Sequence, residues 1–509
     1  MIRPVMTIGG ATLASRGFGF LRDIAIAGLF GAGARADAFL AAFQIANLAR
    51  RMLAEGALNA ALVPLYLQSK TEQGEPAAHR LIGRVAGTLT LALSALALLL
   101  TLAMPFLILL LAPGFEMRGE RHALAVAWAR LMLPYLVFAG PAAIVMGLLN
   151  AHARFAAAAS IGALFNLVVL LALLAVTAFR GGDSDASGDV LAGSVAFAGL
   201  CQLVLLLIAV RRAGLSLPRL SIGFDPEIRA FIRRAIPGAI ANASSQFTLM
   251  AGIMAASTSA GAISWLVYAQ RLIELPLGLV GAGVATVLLP ALSSARQAND
   301  SRASAAARSQ ALELALGLSL PAAIALAILS GPIVRTLFER GAFSPADSMA
   351  TAAAMSLLAF GLPGQVLFRT FSQSFFARGD TKTPMLAGLF GLGVAACGSF
   401  ALMPLIGHAG VALAIAASGW ASTAALARPM RRHGGFALDS ATPRRLALIV
   451  LAASLMGAAI HLLALPLQSW FAAGAGTLTK FAGLGLLVGS GLGLYALSLV
   501  AFGILRRRG

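Results

Sequence analysis

The stretch QIANLARRMLAEGALN, residues 44–59, sets ions into a run of apolar residues. Gln44, Asn47, Arg51, Glu55 and Asn59 recur at spacings of three and four, which puts them on one stripe of a helix. Arg50 stands beside that stripe. Arg51 and Glu55 are an i,i+4 pair, in the weaker order with the cation first. Upstream, Arg16, Phe20 and Asp23 share a similar stripe, with Arg22 about 100° from Asp23 at the helical period. Downstream, YAQRLIELPLGLVGAG (268–283) adds Gln270, Arg271 and Glu274 just before Pro276, a proline that frees a backbone carbonyl and permits a bend. Arg16, Arg22, Arg50, Arg51 and Arg271 outnumber Asp23, Glu55 and Glu274. The chemistry this favours is oxyanion binding, because the planar guanidinium fork matches phosphate better than an ammonium does. The competing reading, buried ion pairs that lock helices together, suits Asp23 and Glu55 better than it suits the arginines as a set.

The elements that must carry these ions are membrane helices. Of 509 residues, 59% are hydrophobic and only 11% charged, against about 25% charged in a soluble domain. LTLALSALALLLTLAMPFLILLLA (89–112) has no charge at all, and such runs recur to the end of the chain. At about 20 residues per crossing, hydropathy predicts fourteen helices, near 5–30, 36–66, 84–112, 123–149, 156–179, 189–211, 230–256, 262–290, 310–332, 349–376, 384–405, 409–430, 444–466 and 479–504. The first, second, seventh, eighth and tenth are polar for membrane helices. The first residues read as an uncleaved helix, since Arg16 and Arg22 fall where a signal peptide would be cut.

An even count places both termini on one side. The loops and tails of that side hold 24 of the 38 basic residues, the opposite loops six, and the helices eight. Basic loops mark the cytoplasm, so both termini are expected there. The net charge of +19 is then mostly topology, with some attraction to anionic lipid, and nucleic-acid binding, which needs a basic soluble domain, is excluded. Among the eight helical cations, Arg130 and Arg335 lie near helix ends, where long side chains snorkel to water. A central arginine costs about 2.5–3.5 kcal/mol on insertion scales and therefore faces a bundle interior or water.

Other chemistries find little support. The six histidines (79, 122, 152, 408, 433 and 461) sit in loops or near helix ends, with no two at ligand spacing, so a lipid-pyrophosphate hydrolase lacks its base or metal. No P-loop occurs. Cys201 and Cys397 lie far apart in apolar runs and read as packing residues. No metal or cofactor is expected, although coupling to an ion or to the membrane potential is.

FQIANLARRMLAEGALNAALVPLY (43–66) aligns without gaps on AQRLIELPLGLVGAGVATVLLPAL (269–292). Gln44 and Gln270 each precede a proline, Pro64 and Pro290, by twenty residues. The ends of the fourth and tenth helices, NAHARFAAAA and FARGDTKTP, are also alike. This repeat predicts two six-helix halves of one orientation, as in transporters whose substrate sites lie near the membrane midplane.

SRGFGFLRDIAIAGLFGAGARADAF, NLARRMLAEGALNAALVPLY, YAQRLIELPLGLVGAGVATVLLPALS, LFERGAF and ARGDTKTP, in that order, resemble the MurJ/MviN family of lipid II flippases, within the multidrug/oligosaccharidyl-lipid/polysaccharide exporter superfamily. The resemblance covers about residues 4–430. It implies an all-α polytopic membrane protein: an N-lobe (1–212, helices 1–6), a C-lobe (213–433, helices 7–12) around a central cationic cavity, and a C-terminal helix pair (434–509) forming a lipid-tail groove. It implies transport of lipid II, the undecaprenyl-pyrophosphate-linked disaccharide-pentapeptide, from the cytoplasmic to the periplasmic leaflet of the inner membrane for peptidoglycan synthesis. The expected unit is a monomer among membrane lipids. By motif position the pyrophosphate-binding residues are Arg16, Arg22, Arg51 and Arg271, with Arg50 beside them. Asp23, Asp37, Gln44, Asn47, Glu55, Gln270 and Glu274 support them, and Asp37 also suits a helix N-cap. One departure is Ala158, where the family has a proline, which bears on the bend between the fourth and fifth helices. The rivals are an exporter of polyprenyl-linked polysaccharide units and a cation-coupled drug exporter, which should carry unpaired carboxylates instead of surplus arginines.

Overall fold

The structure, a computed structural model, describes residues 2–504 apart from 55–56, 118, 181, 183, 218, 224, 298–300, 433–438 and 473. Its contacts divide the chain into two units, Met1–Met250 and Ala251–Gly509. Among the described residues all regular structure is helical, and ten helical stretches, Glu120–Ala151 counted as one, are long and apolar enough to cross a membrane.

The first unit contains α1 (Ile2–Phe30), α2 (Ala34–Ala54), α3 (Ala57–Gln73), α4 (Glu75–Leu111), α5 (Glu120–Met132), α6 (Tyr135–Ala151), α7 (Phe155–Arg180) and α8 (Asp185–Arg212). It ends within α9 (Pro226–Ala256), which runs across the division. The expected helix 36–66 is covered by α2 and α3; Glu55, between them, lies outside the described residues, as does the side chain of Asn59. The expected helix 123–149 is broken at Leu133–Pro134, where proline lacks the N–H that the preceding turn needs. The bend after α6 is made by His152–Arg154, with Ala153 at a left-handed φ of 55°. Helix α7 then runs without interruption through Ala158, so this bend does not depend on a proline there.

Aromatic packing fixes the α1–α2–α5 corner. Phe30 and Phe39 each lie 6.0 Å from the Trp128 ring, and the indole N–H donates to Asp189 of α8 at 3.1 Å. Crossings are close where glycine permits. A Cβ on Gly162 would stand 2.6 Å from the Ser15 hydroxyl, and one on Gly19 would meet Asn166 at 3.1 Å. Residues 219–223 form an extended strap on α4. The Ser221 N–H donates to Gly83 O at 3.2 Å, Thr88 exchanges bonds with Gly223, and Arg84 pairs with Asp225 and Glu227.

The second unit continues with α10 (Ala262–Gln297), α11 (Ser301–Ile328), α12 (Ser330–Leu337), α13 (Pro345–Phe376), α14 (Lys382–Ile406), α15 (His408–Arg432), α16 (Thr442–Ala464), a 3-10 turn (Gln468–Phe471) and α17 (Thr477–Ala501). Helix α13 is its axis, packed by α10, α11, α12 and α15. It starts on a full capping box, Ser344 with Asp347, and Asp347 also accepts the Trp265 indole N–H at 3.0 Å. Gly361 and Gly364 bring α15 to backbone distance. Helices α16 and α17 pair with each other and dock on α11, where the Tyr495 hydroxyl donates to Gly317 O at 2.6 Å.

The helices below the membrane criterion are α1, α2, α3, α9, α10 and the eight-residue α12, while α5 and α6 meet it as one stretch. Four of the expected polar spans fall on them, and they carry every candidate arginine. The fifth, α13, meets the criterion.

Candidate functional site

In the first unit the arginines divide into three states. Arg16 is exposed on α1 and makes no hydrogen bond or ion pair among the described residues. Arg22, one and a half turns on, is only 3% exposed. Its Nε and Nη2 donate to Asp23 Oδ1 at 3.0 and 2.6 Å, and its Nη1 donates to Asn166 of α7 at 2.8 Å. The guanidinium also lies 4.8 Å from the Phe43 ring centroid of α2. Asn166 in turn donates to Ser15 O at 2.9 Å, so one amide ties α7 to two levels of α1. A residue so enclosed orders the α1–α2–α7 junction and offers no open face to a ligand in this conformation.

Arg50 and Arg51 are half-buried, and side-chain amides are among their partners. The Asn47 carbonyl oxygen accepts from Arg50 Nε and Nη2 at 3.3 and 3.0 Å, and the guanidinium stands 5.8 Å from the Phe165 ring. Phe43 and Phe165 adjoin at 6.4 Å, so Arg22 and Arg50 lean on neighbouring rings, a contact that stabilises a cation without neutralising it. Arg51 is gripped by Gln246 of α9, which is 2% exposed. With its amide turned to face the guanidinium, the Gln246 oxygen accepts from Arg51 Nη1 at 2.7 Å and Nε at 3.3 Å. The Asn47 amide nitrogen lies 3.5 Å from the same group. A neutral amide orients a guanidinium group without itself cancelling the charge that an oxyanion would meet.

Asp37 is fully buried in the first turn of α2, where a carboxylate opposes the positive end of the helix dipole. Gly33, before the first helical residue, holds the capping position, so the N-cap reading of Asp37 is corrected: it sits inside the helix. Gln44 is 5% exposed and its Oε1 has no hydrogen-bond partner among the described residues. Half-buried Gln270, its counterpart in the sequence repeat, has the same unmet acceptor.

In the second unit, Arg271 Nη1 donates to Glu274 Oε2 at 3.0 Å, one helical turn along, with both side chains about half-buried. Helix α10 continues through Pro276 without ending.

Two residues in contact with the arginines escape pattern reading, Asn166 and Gln246. Asn166 carried a usable signal, an isolated polar side chain in an apolar stretch of α7, since such residues inside membranes keep partners; Gln246, in the polar run ANASSQFT (241–248), stood out from nothing around it.

A sequence model of the family described as "Lipid II flippase MurJ" matches residues 26–479. A "Probable lipid II flippase MurJ" of Rhizobium meliloti (strain 1021) is 38% identical over 478 residues, 92% of this chain and 88% of the relative. This chain belongs to the MurJ lipid II flippase family. A "Lipid II flippase MurJ" of Burkholderia cenocepacia is 31% identical over 439 residues, 85% of this chain and 84% of that protein. Among solved structures, "Lipid II flippase MurJ, inward closed conformation" aligns with a TM-score of 0.80 at 23% identity, over 98% of this chain and 99% of that one. A multidrug resistance MATE family transporter of the MOP superfamily, inward-facing, aligns with a TM-score of 0.66 at 15% identity, over 82% of this chain and 94% of that one. At these identities the two structures show a shared fold. The family span begins after Arg16, Arg22 and Asp23, while a "Probable lipid II flippase MurJ" of Rhizobium tropici aligns over 97% of this chain. As a MurJ-family protein the chain is a multi-pass protein of the inner membrane.

Proposed function

We propose that this chain is a lipid II flippase, a transporter and not an enzyme, which carries the undecaprenyl-pyrophosphate-linked precursor of the cell wall from the cytoplasmic to the periplasmic leaflet by alternating access. The observation that carries the reading is a set of membrane-helix arginines oriented by amides, in a chain of the flippase family. Arg16, Arg50 and Arg51 take pyrophosphate oxygens, and Arg271 is a further ligand. Arg22, with Asp23 and Asn166, positions α1. Replacing water around a diphosphate is the main barrier to moving it, and charge-assisted bonds from guanidinium groups offset that loss.

The finer architecture belongs to the same proposal: fourteen crossings with cytoplasmic termini, an N-lobe (1–212), a C-lobe (213–433) repeating it, and a terminal helix pair (434–509) for the lipid tail, acting as a monomer. Membrane potential supplies the drive, since one charge moved through 100 mV is worth about 2.3 kcal/mol. Flipping in vesicles should therefore speed up when a potential is imposed, and indifference to it removes this part of the proposal.

The test is replacement. Cells whose own flippase is shut off should regain lipid II at the outer leaflet when this chain is expressed. A well-inserted chain that restores none would instead favour export of polyprenyl-linked polysaccharide units.

A further inference from the structure

The motif LFERGAF (337–343) takes no part in the arginine site. It lines a cavity of about 440 Å³ in the second unit, together with the end of α12, the start of α13 and the segment leading into α17. Three cations, Arg335, Arg340 and Lys480, meet one carboxylate there, Glu339. Lys480 is 8% exposed and donates to Glu339 Oε1 at 3.1 Å. Arg335 Nε stands 3.9 Å from Glu339 Oε2, too far for a hydrogen bond, and that buried oxygen has no hydrogen-bond partner among the described residues. Backbone carbonyls aim the arginines: Arg335 Nη1 donates to Phe471 O at 3.2 Å and Arg340 Nη2 to Thr336 O at 2.7 Å.

The pocket is thus two positive charges in excess, with a built wall and one acceptor waiting for a donor. Buried acceptors of this kind have partners, whether protein, water or ligand. At the start of α17, Leu478 is 84% and Phe481 44% exposed, each next in sequence to a lining residue, Thr477 and Lys480. An anion with an apolar body fits both parts.

We propose that this pocket binds the phosphodiester of a net-anionic phospholipid with a hydroxylated headgroup. Arg335, Arg340 and Lys480 hold the phosphate oxygens; the ammonium has three donors and spends one on Glu339. Glu339 Oε2 accepts the headgroup hydroxyl, and Leu478 and Phe481 lie against the acyl chains. The binding is independent of the transport reading and stands or falls without it.

The test uses the full chain, delipidated in detergent. Dihexanoyl phosphatidylglycerol, dihexanoyl phosphatidylcholine and inorganic phosphate are titrated separately and bound ligand is counted by native mass spectrometry. Phosphatidylglycerol should bind saturably, at least tenfold tighter than phosphatidylcholine. Arg335→Gln/Arg340→Gln, which leaves the Lys480–Glu339 pair in place, should weaken it at least tenfold. Glu339→Gln should narrow the preference for the glycerol headgroup. Equal binding by the double variant, or equal binding of phosphatidylcholine, overturns the site. Competition by free phosphate at matching concentration overturns its assignment to a lipid.

Discussion

The Arg22–Asp23 pair gives the sharpest quantitative test, because the pair is buried and its two contacts are short. Arg22 is 3% exposed and makes two contacts to one carboxylate oxygen, at 2.6 and 3.0 Å. Asp23→Leu removes that acceptor from a buried guanidinium whose other contacts include Asn166 at 2.8 Å and the Phe43 ring. Two unit charges about 4 Å apart at an effective dielectric of 20 interact by about 4 kcal/mol, and breaking a buried pair from one side costs about 3–5 kcal/mol. At roughly 2 °C per kcal/mol for a unit of this size, the unfolding midpoint should fall by about 6–10 °C. Arg22→Met/Asp23→Leu removes both charges and keeps the volume, so it should recover most of that loss. Both variants and the wild type are scanned in one detergent at one heating rate. If the double variant is as unstable as Asp23→Leu alone, the pair is not what the carboxylate serves, and Arg22 is not the positioning residue described above.

Other outcomes follow from single contacts. Gln246→Glu puts a carboxylate against Arg51 where an amide now accepts at 2.7 Å; flipping in proteoliposomes should drop several-fold while the thermal midpoint holds or rises. Gly83→Ala places a Cβ 2.1 Å from Arg219 O; overpacking of about 1–3 kcal/mol should lift the strap, and trypsin should then cut after Arg219 faster than in the wild type. Ser344→Ala removes the α13 cap and should cost about 1 kcal/mol, read as a lowered midpoint with unchanged transport.

Hydropathy located nearly every helix, since about 20 apolar residues have few alternatives to a crossing. What it missed was local: the break at Leu133–Pro134, where proline was overridden by the strength of the surrounding apolar run. The stripe Gln44–Asn47–Arg51 was legible because spacing along one helix fixes its faces. Partners across helices were not, because Asn166 and Gln246 reach the arginines by tertiary packing that no local period encodes. Arg22 and Asp23 were read as facing about 100° apart, yet a long guanidinium arm folds back to its neighbour once the water around both is gone. Asp37 was readable as a helix-start acid, but one turn out of register.

The central claim is that exposed or amide-held arginines bind the pyrophosphate of lipid II. The direct measurement is the fraction of fluorescent lipid II reachable by an impermeant quencher in proteoliposomes carrying the wild type, Arg16→Ala or Arg51→Ala at matched levels. The wild type should equilibrate the lipid across both leaflets and each variant should slow that exchange at least tenfold. Equal rates in all three would contradict the account.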